Sequence, residues 1–423
     1  MSSTTQTRPP SIDAPPAPVP PQNPTSLWRN GDFLRLWGGQ MVSGVGSAAS
    51  GLAFPLLTLA LTHSPARAGL MAALRGIPYA LFSLPAGALV DKWNRKRVML
   101  ICETGSALAV ASVPIASALG HLTLFWLGLA ALIEGTLFVF FQMAESACLA
   151  RVVPKEQLPQ AIAQNEASYA TTAMIGPSVG GFLYGLGRSV PFVADAVSYT
   201  ASALAICFIR TPLQLKRAKD TAPTHLGRDI LEGLRWLWRD RVIRTLAMLT
   251  CGLCVPSAGW ALILIVMAQH LHATPAQIGL LTASSGVGGM LGAFLVPRLQ
   301  KRFAFGHLMV GATWFWVLTW PLYALAHNLW MLGFANAVCF VCIPVYMGTQ
   351  YAYRLKRIPD ALLGRVNSVF RLTAFGAVPL GIALTGWLLQ NFGPQKTIWI
   401  LFVPQLMLGI FALCFRPLRR AQW

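Results

Sequence analysis

Apolar runs of roughly twenty residues, cut by short basic links, recur from Phe33 to Phe415. A run of that length is what an α-helix needs to cross a hydrocarbon core of ~30 Å. In that medium every backbone N–H and C=O must find its partner within the protein, which narrows the folds to helix bundles or closed barrels. The runs here are too long and too uniformly apolar for barrel strands. Twelve can be counted: Phe33 to Leu61, Gly69 to Val90, Val98 to Leu119, Leu122 to Phe141, Leu158 to Gly187 and Val190 to Ile209, then Leu246 to Gln269, Ile278 to Leu299, Gly306 to Ala326, Leu329 to Tyr351, Val366 to Gln390 and Thr397 to Phe415. The fold class expected is an all-α integral membrane protein of twelve transmembrane helices.

Only 11% of the 423 residues are charged, against about 25% for a soluble chain. The net charge of +19 invites a nucleic-acid partner, but no basic groove with interleaved aromatics lies outside the apolar runs. Placing both termini on one side puts 28 of the 33 Lys and Arg on that side. Arg67, Arg188 and Lys396 fall in the opposite links, and Arg75 and Arg371 lie inside runs. By the positive-inside rule this bias predicts cytoplasmic N- and C-termini.

The two halves repeat at an offset of 205: Gly87, Lys96 and Arg97 fall on Gly292, Lys301 and Arg302, and Pro154, Gly176 and Gly181 on Pro359, Gly381 and Gly386. Asp91 falls on Val296, so the second copy lacks that acid. Duplicated six-helix halves are a transporter architecture. The organisation expected is a disordered cytoplasmic tail at 1–27, with eight prolines before Ser26, and a first six-helix bundle at 28–209. A cytoplasmic linker at 210–244 follows, then a second bundle at 245–416 and a short tail at 417–423. In the linker Leu226, Ile230, Leu234 and Leu237 recur at helical spacing opposite Arg228, Arg235 and Arg239. That pattern predicts an amphipathic helix on the inner leaflet, drawn to anionic lipid.

Polar residues inside the runs are the candidates for function, because an intramembrane charge is costly unless paired or wet. Glu134 lies twelve residues past Leu122, ~18 Å along a helix rising ~1.5 Å per residue, in the middle third of the membrane. Glu145 lies on the same helical face, nearer the cytoplasm. Glu134 is the first choice for coupling protons to transport, with Glu145, Asp195 and Glu166 behind it, and Arg371 is its expected cationic partner by depth. A bland reading stands beside this one, a neutral Glu134 bonded to neighbouring helices. Asp195 is read as near the outer face, paired structurally with Arg188 or Arg75. Gln40, Ser43, Ser47 and Ser50 share one helix face, and with Gln164, Ser168 and Arg371 they are expected to line a cavity or pack between helices.

No metal or cofactor is expected. Cys251/Cys254 and Cys339/Cys342 sit in apolar helices as small filler, and the glycines from Gly286 to Gly292 follow no strand and serve helix packing. The absence of a nucleotide-binding loop argues against ATP drive within the chain.

Several stretches carry a family resemblance, among them Val153-Pro154 with Gln164-Asn165-Glu166. Gly87-Ala-Leu-Val-Asp91-Lys92-Trp93-Asn94-Arg95-Lys96-Arg97 resembles the loop between the second and third helices of major facilitator transporters, with Asn94 in place of that pattern's second glycine. Gly176-Pro177-Ser-Val-Gly180-Gly181 resembles the core of the fifth-helix exporter signature. Phe33 to Ser43, Pro191 to Ser198 and Gly364-Arg365-Val366 extend the likeness to the branch of enterobactin exporters and macrolide efflux pumps. The resemblance implies a monomeric plasma-membrane exporter of bulky amphipathic small molecules, driven by proton antiport and working by alternating access. It also implies a conformational gate at Gly87, Asp91, Lys92, Arg95 and Lys96, with Asp91 bridging to the helix start near Arg365. The fourth-helix arginine of many drug antiporters is replaced here by Ala131. The expected partners are a small-molecule substrate, protons and membrane lipid, and no nucleic acid. A lipid or lysolipid flippase of the same fold is the alternative, and a membrane enzyme or receptor finds no supporting constellation.

Overall fold

A computed structural model describes residues 27–213, 226–359 and 362–422. The proline-rich segment expected to be disordered lies outside these residues apart from Leu27, as does part of the linker. The first half contains α1 (Gly31–Thr62), α2 (Pro65–Val90), α3 (Arg95–Ala118), α4 (Leu124–Val152), α5 (Leu158–Leu186) and α6 (Val190–Cys207). The linker carries α7 (Leu226–Arg239). The second half contains α8 (Arg241–Ser257), α9 (Trp260–His270), α10 (Pro275–Arg302), α11 (Phe305–Thr319), α12 (Leu329–Phe340), α13 (Cys342–Arg357), α14 (Leu363–Phe375), α15 (Val378–Cys414) and α16 (Arg416–Arg419).

These helices make the twelve expected membrane passes. In the first half each pass is one helix. In the second half α8 and α9 form one pass, α12 and α13 another, and α14 with the start of α15 a third. The remainder of α15 is the last pass, entered through Gly393 at φ 73°, a left-handed conformation that glycine adopts without a Cβ clash.

Helix starts follow the local chemistry. Asn30, Ser64, Asn94, Thr123, Asp240, Thr274 and Asn328 each accept a bond from a backbone N–H of the first turn, a contribution of about 1 kcal/mol apiece. Asn94 explains the departure from the glycine of the loop pattern: its side chain caps α3 at Arg97 N, 3.1 Å away.

Small residues set the packing. A methyl group placed on Gly180 would lie 2.7 Å from Ala49 Cα, and Gly135 and Gly288 press on the backbone carbonyls of Arg75 and Ala337. Backbone-to-backbone approach of this kind maximises dispersion where lipid removes the hydrophobic drive between helices. Between the halves, α5 packs along α10 and α2 along α15.

The linker helix has a protein partner as well as an exposed apolar side, at Leu231, Leu234 and Trp238. Helix α7 docks on α14: Glu232 pairs with Arg365 at 2.6 Å, and a methyl on Gly233 would lie 2.9 Å from the Arg365 carbonyl oxygen. Leu237 is buried by this contact whereas Leu234 stays exposed, so the docked face is rotated from the leucine stripe toward the glycine that permits close approach.

Candidate functional site

Four helices of the first half meet around one carboxylate. Arg75 of α2 donates two parallel bonds to Glu134 of α4, from Nε to Oε2 at 2.9 Å and from Nη2 to Oε1 at 2.6 Å. The same Nη2 reaches Ser47 of α1, at 2.8 Å to the hydroxyl and 3.1 Å to the carbonyl. Tyr199 of α6 donates to Glu134 Oε1 at 3.0 Å. Fork-to-carboxylate geometry is the strong form of an ion pair, and the extra donors offset the desolvation of a buried charge. The Glu134 side chain is 1% exposed and that of Arg75 28%, so the cation stands between the acid and the open side. Gly135 gives the α2 backbone room beside the pair.

The expected partner of Glu134, Arg371, is elsewhere. It is exposed and donates to Tyr79 Oη of α2 at 2.6 Å, which bridges the two halves. Arg75 wins because α2 and α4 start at the same end, and each residue lies ten positions beyond its helix start. Asp195, five residues past the start of α6, is fully buried between helices and accepts from Ser198 at 3.3 Å. Glu145 has its own cage, with Asn165 Nδ2 at 2.9 Å and Tyr169 Oη at 3.1 Å, while Gln40 Nε2 donates to the same tyrosine at 3.4 Å. Glu166 is exposed and takes no part.

Of the cavity-lining expectations, Gln40, Ser43 and Ser47 face a cavity enclosed by α1, α3, α4, α5 and α6, within the first half rather than between the halves. Ser168 accepts from Trp37 Nε1 at 2.6 Å and donates to the Gln164 carbonyl at 2.9 Å, so these two lock α1 to α5. Tyr199 and Ser202 escaped the sequence reading, although their helix face is shared with Asp195 at spacings of four and seven.

The exporter-type glycines divide into two jobs. Gly176 and Gly180 face α1, at Ala48 and Ala49, and Gly181 faces the other half, where a methyl would lie 2.8 Å from Gly279 Cα. Pro177 adds its carbonyl to the same seam at Gly279. The second copy repeats the division: Gly381 presses on the Val255 carbonyl of α8, and Gly386 on Gly69 of α2. These cross-half contacts lie toward the end farther from the basic loop.

At the basic end Asp91 does not bridge to Arg365. Its partner is Arg95, 2.9 Å away and one turn on, and Arg365 reaches Glu232. Gly87 has open space beside it, so it serves no close approach in this conformer, and Lys92 is exposed. Lys96 donates to the Cys207 and Ile209 carbonyls, at 2.9 and 2.7 Å, closing the C-terminus of α6.

A family profile described as transmembrane secretion effector matches residues 23–422. The chain is 27% identical to the multidrug efflux pump Tap of Mycolicibacterium fortuitum, over 92% of this chain and 97% of Tap. It is 24% identical to macrolide efflux protein A of Streptococcus pyogenes, over 90% and 95%. With the enterobactin exporter EntS of Escherichia coli O1:K1 / APEC it shares 25%, over 90% and 91%. Its fold superposes on a bacterial homologue of the human lysosomal transporter Spinster in an inward-facing, unoccupied conformation, with a TM-score of 0.76 at 14% identity, covering 94% of this chain and 99% of that one.

Proposed function

The chain belongs to the transmembrane secretion effectors, an exporter family of the major facilitator superfamily, and from that premise we propose that it expels bulky amphipathic small molecules in exchange for protons. The carrying observation is the Arg75–Glu134 pair, a buried carboxylate held by a single cation ten residues into each helix. Protonating Glu134 removes the charge that holds Arg75, Ser47 and Tyr199 together. Helices α1, α2, α4 and α6 are then free to repack, and Arg75 is free to turn toward the space between the halves. A cationic substrate approaching Glu134 competes with both proton and Arg75 for one carboxylate, and that competition couples the two fluxes.

The contacts at Gly69/Gly386 and Gly181/Gly279, with Asp91 and Arg365 each paired to other residues at the basic end, support reading this conformer as the cytoplasm-open state. In the opposite state Asp91 would leave Arg95 and meet the start of α14, where a carboxylate gains from the helix N-terminus. Both termini then lie in the cytoplasm, and the chain resides in the plasma membrane.

Efflux of a fluorescent cationic drug from proteoliposomes carrying an imposed pH gradient tests this. Glu134→Gln is expected to retain drug binding and lose the dependence of efflux on the gradient. A Gln variant that pumps like the parent, and still stops when an uncoupler is added, removes Glu134 from the coupling.

A further inference from the structure

A second acid in the first half has no place in the Arg75–Glu134 chemistry. Glu103 of α3 is 2% exposed. Its Oε1 accepts from Ser202 Oγ at 2.9 Å, and its Oε2 is buried with no hydrogen-bond partner. It lines the internal cavity with Gln40, Ser43, Ser47, Ser106 and Gln142, and Gln142 Oε1 is likewise buried without a donor. The cavity holds about 40 Å³, where one water needs roughly 10–15 Å³.

Beside Phe138 and Phe141, the lining leaves two buried oxygens without a donor. Both are acceptors, Glu103 Oε2 and Gln142 Oε1, and the hydroxyls of Ser43 and Ser106 add two more oxygens to the wall, that of Ser47 being engaged by Arg75 and Glu134. An acceptor-rich pocket with a buried carboxylate calls for a positively polarised guest, and hard oxygen donors select hard cations. Among the described residues no group of three His, Cys, Asp or Glu gathers for a multivalent metal, so a single positive charge matches the single carboxylate.

The titratable and charged groups on the surrounding elements are Cys102 on α3 itself, Arg75 on α2, Glu134 and Glu145 on α4, Tyr169 on α5, and Asp195 and Tyr199 on α6. Arg75 is committed to Glu134. Asp195 is itself short of a donor at Oδ2, which leaves the region poor in cations. We propose that this cavity is a binding site for one small hard monovalent cation, a proton or Na+, held at Glu103 inside the first bundle and separate from the Arg75–Glu134 pair. Ser47 and Tyr199 touch both places, so an occupied cavity would bear on the coupling pair through them.

The test uses the full chain reconstituted in liposomes. Binding of radiolabelled Na+ is measured against choline at several pH values, and the carboxyl C=O infrared absorption is followed as pH is varied. Saturable Na+ binding that weakens as pH falls identifies sodium as the guest. A titrating carboxyl band indifferent to Na+ identifies the proton. Whichever signal the parent gives is expected to vanish in Glu103→Gln. Ser106→Val, which fills the cavity and leaves every acid in place, is expected to diminish it as well. A parent with neither signal, or signals unchanged in both variants, overturns the proposal. Efflux that ignores the pH gradient would instead remove the Glu134 reading and leave these two measurements standing.

Discussion

The two halves share one ancestral plan and opposite chemistry. At the offset of 205, Arg75, Glu103, Glu134, Glu145 and Asp195 fall on Leu280, Leu308, Cys339, Gln350 and Ile400. The first half therefore carries every buried acid found in a pass among the described residues, and the second carries none. What replaces charge is aromatic packing, with Trp316, Trp320, Tyr323 and Phe340 in contact, and neutral bonds such as Trp316 Nε1 to Gln405 Oε1 at 2.7 Å. Arg354 is buried over the Phe370 ring at 3.8 Å, a cation set against a π face in place of a carboxylate. The difference also extends to the backbone. Passes of the first half are unbroken helices, whereas several of the second are broken at Ala258–Gly259, Val341 and Gly376–Ala377. An ion pair needs rigid supports to hold two charges within 3 Å, while an apolar, segmented half can repack without stranding a charge. The lesson is a division of labour, with buried charge on unbroken helices in one half and apolar packing on segmented helices in the other.

The sharpest way to break that comparison is to strand the buried acid. Arg75→Leu leaves Glu134 unpaired and is expected to cost about 3–5 kcal/mol of stability. Arg75→Leu with Glu134→Leu should recover most of it, as read from thermal unfolding in detergent. Equal losses in single and double variants would mean that the pair is not the centre of the first half.

Gly181→Val strikes the seam between the halves. Overpacking costs about 1–3 kcal/mol, here levied only on the conformer closed at that end, so efflux should fall about tenfold or more with unfolding unchanged. Gly386→Val should match it. Gly176→Val and Gly381→Val, which face within a half, should lower stability instead, and a swap of these phenotypes would undo the assignment of the glycines.

A milder effect is expected from the polar knot of the second half. Asn336 is fully buried and joins Tyr323 Oη at 2.7 Å, the Leu281 carbonyl at 3.0 Å and Ser284 at 2.9 Å. Asn336→Leu should cost about 1–3 kcal/mol through unsatisfied partners and leave the pH dependence of efflux unaltered. A shifted pH profile would show that coupling chemistry reaches into the second half.

The smallest change belongs to Asp91. Its pair with Arg95 is solvent-exposed, so Asp91→Asn should alter stability by less than about 1 kcal/mol. Transport should nevertheless slow, because the other conformer loses its anchor at the basic end. Unchanged transport with unchanged labelling of cytoplasmic cysteines would remove that role.

Length, hydropathy and charge placement determined the twelve passes, because a ~30 Å hydrocarbon core imposes its own ruler on any chain that crosses it. The repeat made the two halves legible, and Ser, Thr, Asn and Asp marked helix starts because each satisfies a first-turn N–H whatever lies around it. Glu134 stood out for the same kind of reason, a charge at a depth where charge is expensive. Its partner did not. Depth narrows the choice to residues at one level, but azimuth around each helix and the order of helices in the bundle decide which side chains meet. Arg75 and Arg371 were both admissible until α2 was packed on α4. The inward turn of Gln40, Ser43 and Ser47, the orphaned oxygen of Glu103 and the seat of α7 on Gly233 arise in the same way. They are products of close contact between elements distant in sequence, and periodicity along one helix carries no information about the helix it will touch.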